Sequence, residues 1–143
     1  MEYKLILIPI LVVLISQIIL KPLIEMIKGT WTWKNITAYG GMPSAHSALV
    51  SSLATVVGLN QGWQSASFAI SLVLAIIVIT DAIGFRAYLT EHSKAINKLI
   101  IDLPDEFEYK YKTLNERVSH TMPEVLAGTA VGIIFAWILF QII

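Results

Sequence analysis

At 143 residues, 56% hydrophobic and only 14% charged, with a mean hydropathy of +0.71, the chain is too apolar for an ordinary soluble domain, whose charged share is roughly 25%. Ten basic and ten acidic residues cancel, and nearly all of them fall in two segments, Lys21 to Lys34 and Asp81 to Glu124. The absence of cysteine excludes disulfide and thiolate chemistry, the absence of a basic tract gives no reason to expect nucleic acid, and what remains is an all-α integral membrane protein with one membrane domain.

The first apolar run extends from Tyr3 through Leu20 and Pro22 to about residue 27, enough to cross roughly 30 Å of hydrocarbon. No small-residue cleavage site follows, and the run leads straight into Lys21-Pro22, so it is read as a mature transmembrane helix rather than a signal peptide. A polar loop over about 28–42 carries Trp31, Trp33 and Tyr39, aromatics suited to the membrane interface.

That loop ends in Gly40-Gly41-Met42-Pro43-Ser44-Ala45-His46-Ser47. A helix opening on Pro-Ser-Ala-His has free N–H groups and the positive end of its dipole in its first turn, which suits an anion such as phosphate. A histidine in that turn can pass a proton to whatever is bound, although Pro and Ser also start helices for structural reasons alone. The second apolar run, about 43–59, is short, and Ser47, Ser51 and Thr55 fall four apart on one face. That small-xxx-small spacing lets helices approach closely in lipid, so this is read as the central helix.

After an uncharged turn, Asn60 to Ser65, a third span runs over about 66–83 and includes Thr80-Asp81 near its end. From Phe85 onward Tyr88, Leu89, His92, Ala95, Ile96, Leu99 and Ile100 recur at helical spacing, with Arg86, Glu91, Lys94 and Lys98 between them. This is an amphipathic helix lying along the interface and flanking the candidate site. Asp102 to Glu116, dense in charge and interrupted by Pro104, reads as a solvated loop or short helix, and the fourth span covers about 123–143.

Four spans place the loops 28–42 and 84–122 on one side and both termini on the other. The loop side holds Lys21, Lys28, Lys34, Arg86, Lys94, Lys98, Lys110, Lys112 and Arg117, nine of the ten basic residues, against Lys4 opposite. The positive-inside rule puts that side in the cytoplasm.

Every candidate group lies on this face. His120 and Glu124 are four apart, so a helix reaching back to His120 lets the carboxylate hold one ring nitrogen and leaves the other free for a substrate. Thr121-x-x-Glu124 equally fits a capping box, with Pro123 in the first turn. Asp81 and Arg86 form either an interfacial salt bridge with a snorkelling arginine or a phosphate clamp, and Lys21 is an anchor or a phosphate ligand. Two histidines at helix starts, with lysine and arginine at the ends of the other helices, raise the expectation of function.

Pro43-Ser44-Ala45-His46 resembles the Pro-Ser-Gly-His motif of the type 2 phosphatidic acid phosphatases and vanadium haloperoxidases. His120-x-x-x-Glu124-Val125-Leu126-Ala127-Gly128 resembles their final motif, in which aspartate follows the histidine by four. Together with Asp81-Ala82-x-Gly84-x-Arg86, these motifs are more similar to the small, divergent membrane branch of that superfamily, over about residues 21–132.

The resemblance implies that His120 attacks phosphorus to form a phosphohistidine, that Glu124 orients it and that His46 is the general acid. It further implies a phosphate-binding set of Lys21, Ser44, the N–H of Ala45, Arg86, Arg117 and Asp81, with no metal or other cofactor. This chain departs from the family pattern at Ala45 and Glu124, at Lys28-Gly29 where the family has Arg-Pro, and at Arg117, three rather than six residues before the histidine. Arg86 or Arg117 then supplies the missing charge, and Arg86, ending a packed helix, is preferred. The implied protein is a minimal four-helix core that hydrolyses a lipid phosphate or pyrophosphate in the bilayer, thin enough to be compatible with a homodimer. Two alternatives fit the same residues: a non-catalytic module binding lipid headgroups or a protein partner, and a divalent-metal phosphatase with Asp81 and Glu124 as ligands.

Overall fold

A computed structural model describes residues 2–32, 41–103, 111–116 and 118–143; Trp33, Lys34, Tyr39, Gly40, Pro104, Lys110 and Arg117 lie outside them. The described residues are helical, without a strand. The helices are α1 (Tyr3–Ile27), α2 (Ala45–Gln61), α3 (Ala66–Ile83), α4 (Phe85–Ile101) and α5 (Met122–Ile142).

Capping sets several boundaries. Ser44 is the N-cap of α2 and Ser65 that of α3, where the Ser65 hydroxyl accepts from Phe68 N at 3.1 Å. Gly62, with φ +92°, ends α2 in a conformation that only glycine adopts freely. Gly84 separates α3 from α4, and its N–H still donates to Thr80 O at 2.8 Å.

Helix α1 widens into a π-helical segment over Ile15–Leu20, where Lys21 N reaches back to Ser16 O. Pro22 follows at once, and a proline ring crowds the carbonyl four residues earlier, so a wider turn before it relieves the clash. The segment buries Ser16 and leaves the adjacent Gln17 to bond Pro43 O across to the start of α2, at 3.2 Å.

Helix α2 is the centre of the bundle and packs on α1, α3 and α5. Its tightest seam is with α5. A methyl group at Gly132 would collide with the Ser51 hydroxyl and lie 2.6 Å from Ala48 O; one at Gly128 would collide with Ser44 O. Gly128, Gly132 and Ala136, four apart, are all buried. Without a hydrophobic drive between helices in lipid, such close backbone approach is what dispersion and packing require. Ile8, Val12, Ala48, Val56 and Ala136 form the fully buried core.

Outward faces are apolar, with Ile6, Ile18, Ile77 and Ile134 exposed, as suits a chain whose solvent is hydrocarbon. The runs Tyr3–Ile27, Ala66–Ile101 and Met122–Ile142 are long and apolar enough to cross a bilayer; α2, with 17 residues and four serines or threonines on buried positions, is shorter and enclosed by the others. The chain is thus an all-α integral membrane protein. Along α4, Tyr88, Leu89, Ile96 and Leu99 are exposed while Asn97 and Ile100 face the protein. Residues 111–116 contain no helix.

Candidate active site

The C-terminal ends of α1 and α3 and the N-terminal ends of α2 and α5 meet at one end of the bundle, joined by backbone. Ser44 N donates to Glu124 O at 3.0 Å, tying the start of α2 to the first turn of α5, and His120 N donates to Ala82 O at 3.3 Å, tying the segment before α5 to the end of α3. These bonds carry two histidines to one place: the rings of His46 and His120 lie 6.4 Å apart, edge to face.

His120 is buried, and its Nδ1 lies 3.1 Å from Glu124 Oε2. A carboxylate oxygen only accepts, so Nδ1 carries a proton, and in the neutral ring the lone pair is on Nε2. The same Oε2 accepts from Thr121 N at 3.0 Å. The capping box and the histidine partner are therefore one arrangement. Helix α5 does not reach back to His120 but starts at Met122 with Thr121 as N-cap, and the carboxylate, turned back over the cap, still meets the ring.

His46 sits in the first turn of α2, its Nδ1 buried and without a hydrogen-bond partner among the described residues. With Asp81, Phe85 and Arg86 it lines a recess of about 580 Å³ along the end of α3. Arg86 Nε donates to Asp81 Oδ2 at 2.9 Å, which fixes the guanidinium plane and turns its two terminal nitrogens elsewhere.

The remaining candidates divide. The N–H groups of Ala45 and His46 belong to a helix first turn and have no intrahelical acceptor. Ser44 is fully buried, and its hydroxyl is engaged with Ser47: it accepts from Ser47 N at 3.4 Å and from Ser47 Oγ at 3.1 Å. Its side chain therefore caps the helix instead of lining the recess. Lys21 is 3% exposed and lies under Gly41, where a Cβ would stand 3.1 Å from its Cε. The turn at Gly41, with φ +93°, needs a glycine both for that conformation and for this approach. Lys21 is thus beside the motif's loop and outside the recess, and Arg117 lies outside the described residues. Asp81 and Glu124, the pair that suits a metal by charge, are engaged with Arg86 and with His120; among the described residues no three His, Asp or Glu side chains converge on a metal position.

Several residues of the site carry no sequence motif that marks them. Asn97, buried on α4, donates from Nδ2 to Leu114 O (2.9 Å) and Glu116 Oε1 (2.8 Å) and accepts from Leu114 N (2.7 Å). Thr90 Oγ1 donates to Ser119 Oγ at 3.1 Å and accepts from Ser119 N at 3.3 Å. Helix α4 thus holds Leu114, Glu116 and Ser119 in the approach to His120. Gln17 holds the Pro43 carbonyl from α1. The available signals were a polar Ser16-Gln17 pair inside an apolar run, a polar Asn97 on the amphipathic helix and the Gly128-x-x-x-Gly132 spacing.

Comparison with known proteins gives the family. The model of the Divergent PAP2 family matches residues 1–135. The chain is 36% identical to the uncharacterized membrane protein YuiD of Bacillus subtilis (strain 168), with 89% of this chain and 87% of that protein covered. No solved structure matches. Since the family match takes in both histidine motifs and nearly the whole chain, the protein belongs to the divergent PAP2 family.

Proposed function

We propose that the protein is a membrane phosphatase that releases phosphate from a lipid phosphate or pyrophosphate through a phosphohistidine on His120. The observation that carries this is the His120–Glu124 bond: it fixes the tautomer in which Nε2 is a nucleophile, 6.4 Å in ring separation from a second histidine at the start of α2. In the first step Nε2 attacks phosphorus, the N–P bond forms, and the P–O bond to the lipid oxygen breaks as that oxygen takes a proton from His46. In the second, water attacks phosphorus, gives its proton to His46, and the N–P bond breaks to restore His120. Glu124 stabilises the positive ring that develops during attack.

The terminal nitrogens of Arg86 and the first-turn N–H groups of α2 are the phosphate ligands, acting on charge that spreads over the equatorial oxygens. Asp81 serves by holding Arg86. Lys21 contributes long-range charge from beneath Gly41. The excess of Lys and Arg on this end of the bundle supports a cytoplasmic active face with both termini opposite.

A panel of lipid phosphates incubated with the purified protein tests the reading. Release that resists chelator, is blocked by vanadate and is lost in His120→Ala supports it; chelator-sensitive release points to a metal enzyme. Tight headgroup binding with no release from any substrate points to a non-catalytic module.

A further inference from the structure

A second cavity, of about 610 Å³, runs between α3 and α5 with α2 as its back wall. Two hydroxyls on that wall are spent internally: Ser51 Oγ donates to Ser47 O at 2.5 Å and Thr55 Oγ1 to Ser51 O at 2.8 Å. A ligand therefore meets a hydrocarbon surface there.

The two ends of the cleft differ. Its upper lining residues Ile79, Ser51 and Thr129 each stand one helical turn, about 5 Å, from a residue that borders the phosphate site. Ile79 precedes Ala82, whose carbonyl holds His120 N; Ser51 follows Ser47, which is bonded to Ser44; Thr129 follows Val125, next to Glu124. At the lower end the Trp63 ring lies flat against α2, so close that Gly58 has no room for a Cβ, and it meets Phe68 edge to face at 5.0 Å. Both rings line the cleft at that end.

Size decides what fits. Phe68 to Ile79 is eleven residue steps along α3, about 16 Å at 1.5 Å per residue. The cleft's mean cross-section over that length is at least about 40 Å², enough for an extended hydrocarbon chain.

We infer that this cleft holds the hydrocarbon chain of the phosphorylated substrate, and that Trp63, seated on Gly58, limits the chain's length. The inference rests on the phosphatase reading of the site above. With C–C bonds near 1.5 Å a zig-zag chain advances about 1.25 Å per carbon, so the 16 Å of the cleft and the roughly 5 Å between it and the phosphate site together take about 16 or 17 carbons before the chain meets Trp63. Linear and isoprenyl chains share this chemistry and are separated by experiment.

The test uses alkyl and isoprenyl monophosphates with a photoreactive diazirine on the last carbon, at main-chain lengths of 8, 12, 16 and 20 carbons. They are crosslinked to the full-length wild-type and His120→Ala proteins in nanodiscs, and adducts are mapped by mass spectrometry. The 16-carbon probes are expected on Trp63 or Phe68, and the 8-carbon probes on residues nearer Ile79. In parallel, kcat/KM for the wild type falls at least tenfold beyond about 17 carbons, and Trp63→Ala or Trp63→Leu moves that limit to longer chains. Adducts spread over outward faces such as Ile6 or Ile70, adduct positions indifferent to chain length, or a limit unmoved by both Trp63 variants overturn the inference. Labelling needs no turnover. Adducts in the cleft without phosphate release sink the phosphatase reading and keep the chain site; release with adducts elsewhere does the reverse.

Discussion

His120 and Glu124 share a hydrogen bond, Nδ1 to Oε2 at 3.1 Å, although α5 begins only at Met122 and the histidine precedes its N-cap. One carboxylate oxygen serves the ring and the Thr121 N–H together, so the group that starts the helix is the group that selects the tautomer.

Glu124→Gln separates those two duties. Its amide oxygen still accepts from Thr121 N, so the melting transition in detergent moves by no more than the equivalent of about 1 kcal/mol. A neutral amide no longer stabilises the imidazolium, and phosphate release falls by about 10² to 10⁴. Glu124→Ala loses both, and its melt shifts further.

At Asp81 and Arg86 the same pairing logic gives a different signature. Arg86→Lys removes the planar fork held by Asp81 and raises KM for a lipid phosphate by about tenfold or more, because a lysine is a point charge without the paired donors. Asp81→Asn, which leaves the fork but loosens it, gives the same direction with a smaller rise. Steady-state kinetics on both variants checks the order.

Asn97 touches neither histidine, yet it holds both the N–H and the carbonyl of Leu114. Asn97→Ala strands those groups and costs about 1 to 3 kcal/mol of stability. Acting only by placing His120, it also lowers kcat while leaving KM within about twofold; a merely structural loss would reduce the active fraction and leave kcat per folded molecule unchanged.

The α2–α5 seam has no slack. Gly132→Ala is expected to cost about 1 to 3 kcal/mol, since its methyl meets the Ser51 hydroxyl and the Ala48 carbonyl. Gly132→Val, which adds two more carbons in the same place, costs more and lowers the yield of folded protein. Melting in detergent reports both.

Much of this site was legible in the sequence because its chemistry sits in short motifs. Pro43 to His46 and His120 to Glu124 each mark a helix start, and a helix start fixes where its residues point. The choice between capping box and histidine partner was open because spacing alone does not reveal that one oxygen does both. Ser44 read as a phosphate ligand from its motif; the structure buries it, with its oxygen accepting from Ser47 N and Ser47 Oγ. Asn97 and Gln17 stand out as polar residues on an amphipathic and an apolar helix, but what they and Thr90 hold was illegible: their partners are 17, 26 and 29 residues away, distances at which periodicity carries no information. The second helix was legible as central from its small residues, and Gly128 and Gly132 share that four-residue spacing, but which helix they meet is set only by the packing of α5 on Ser44, Ala48 and Ser51.

The central claim is a covalent phosphate on His120, and trapping it is the most direct measurement. The protein is mixed with a lipid phosphate, quenched in alkali, where a phosphohistidine survives, and mapped by mass spectrometry. The expected result is a phosphate on the ring of His120, absent in His120→Ala and discharged by further incubation before the quench. Phosphate release at an undiminished rate in His120→Ala, or a phosphate carried on any other residue, would contradict it.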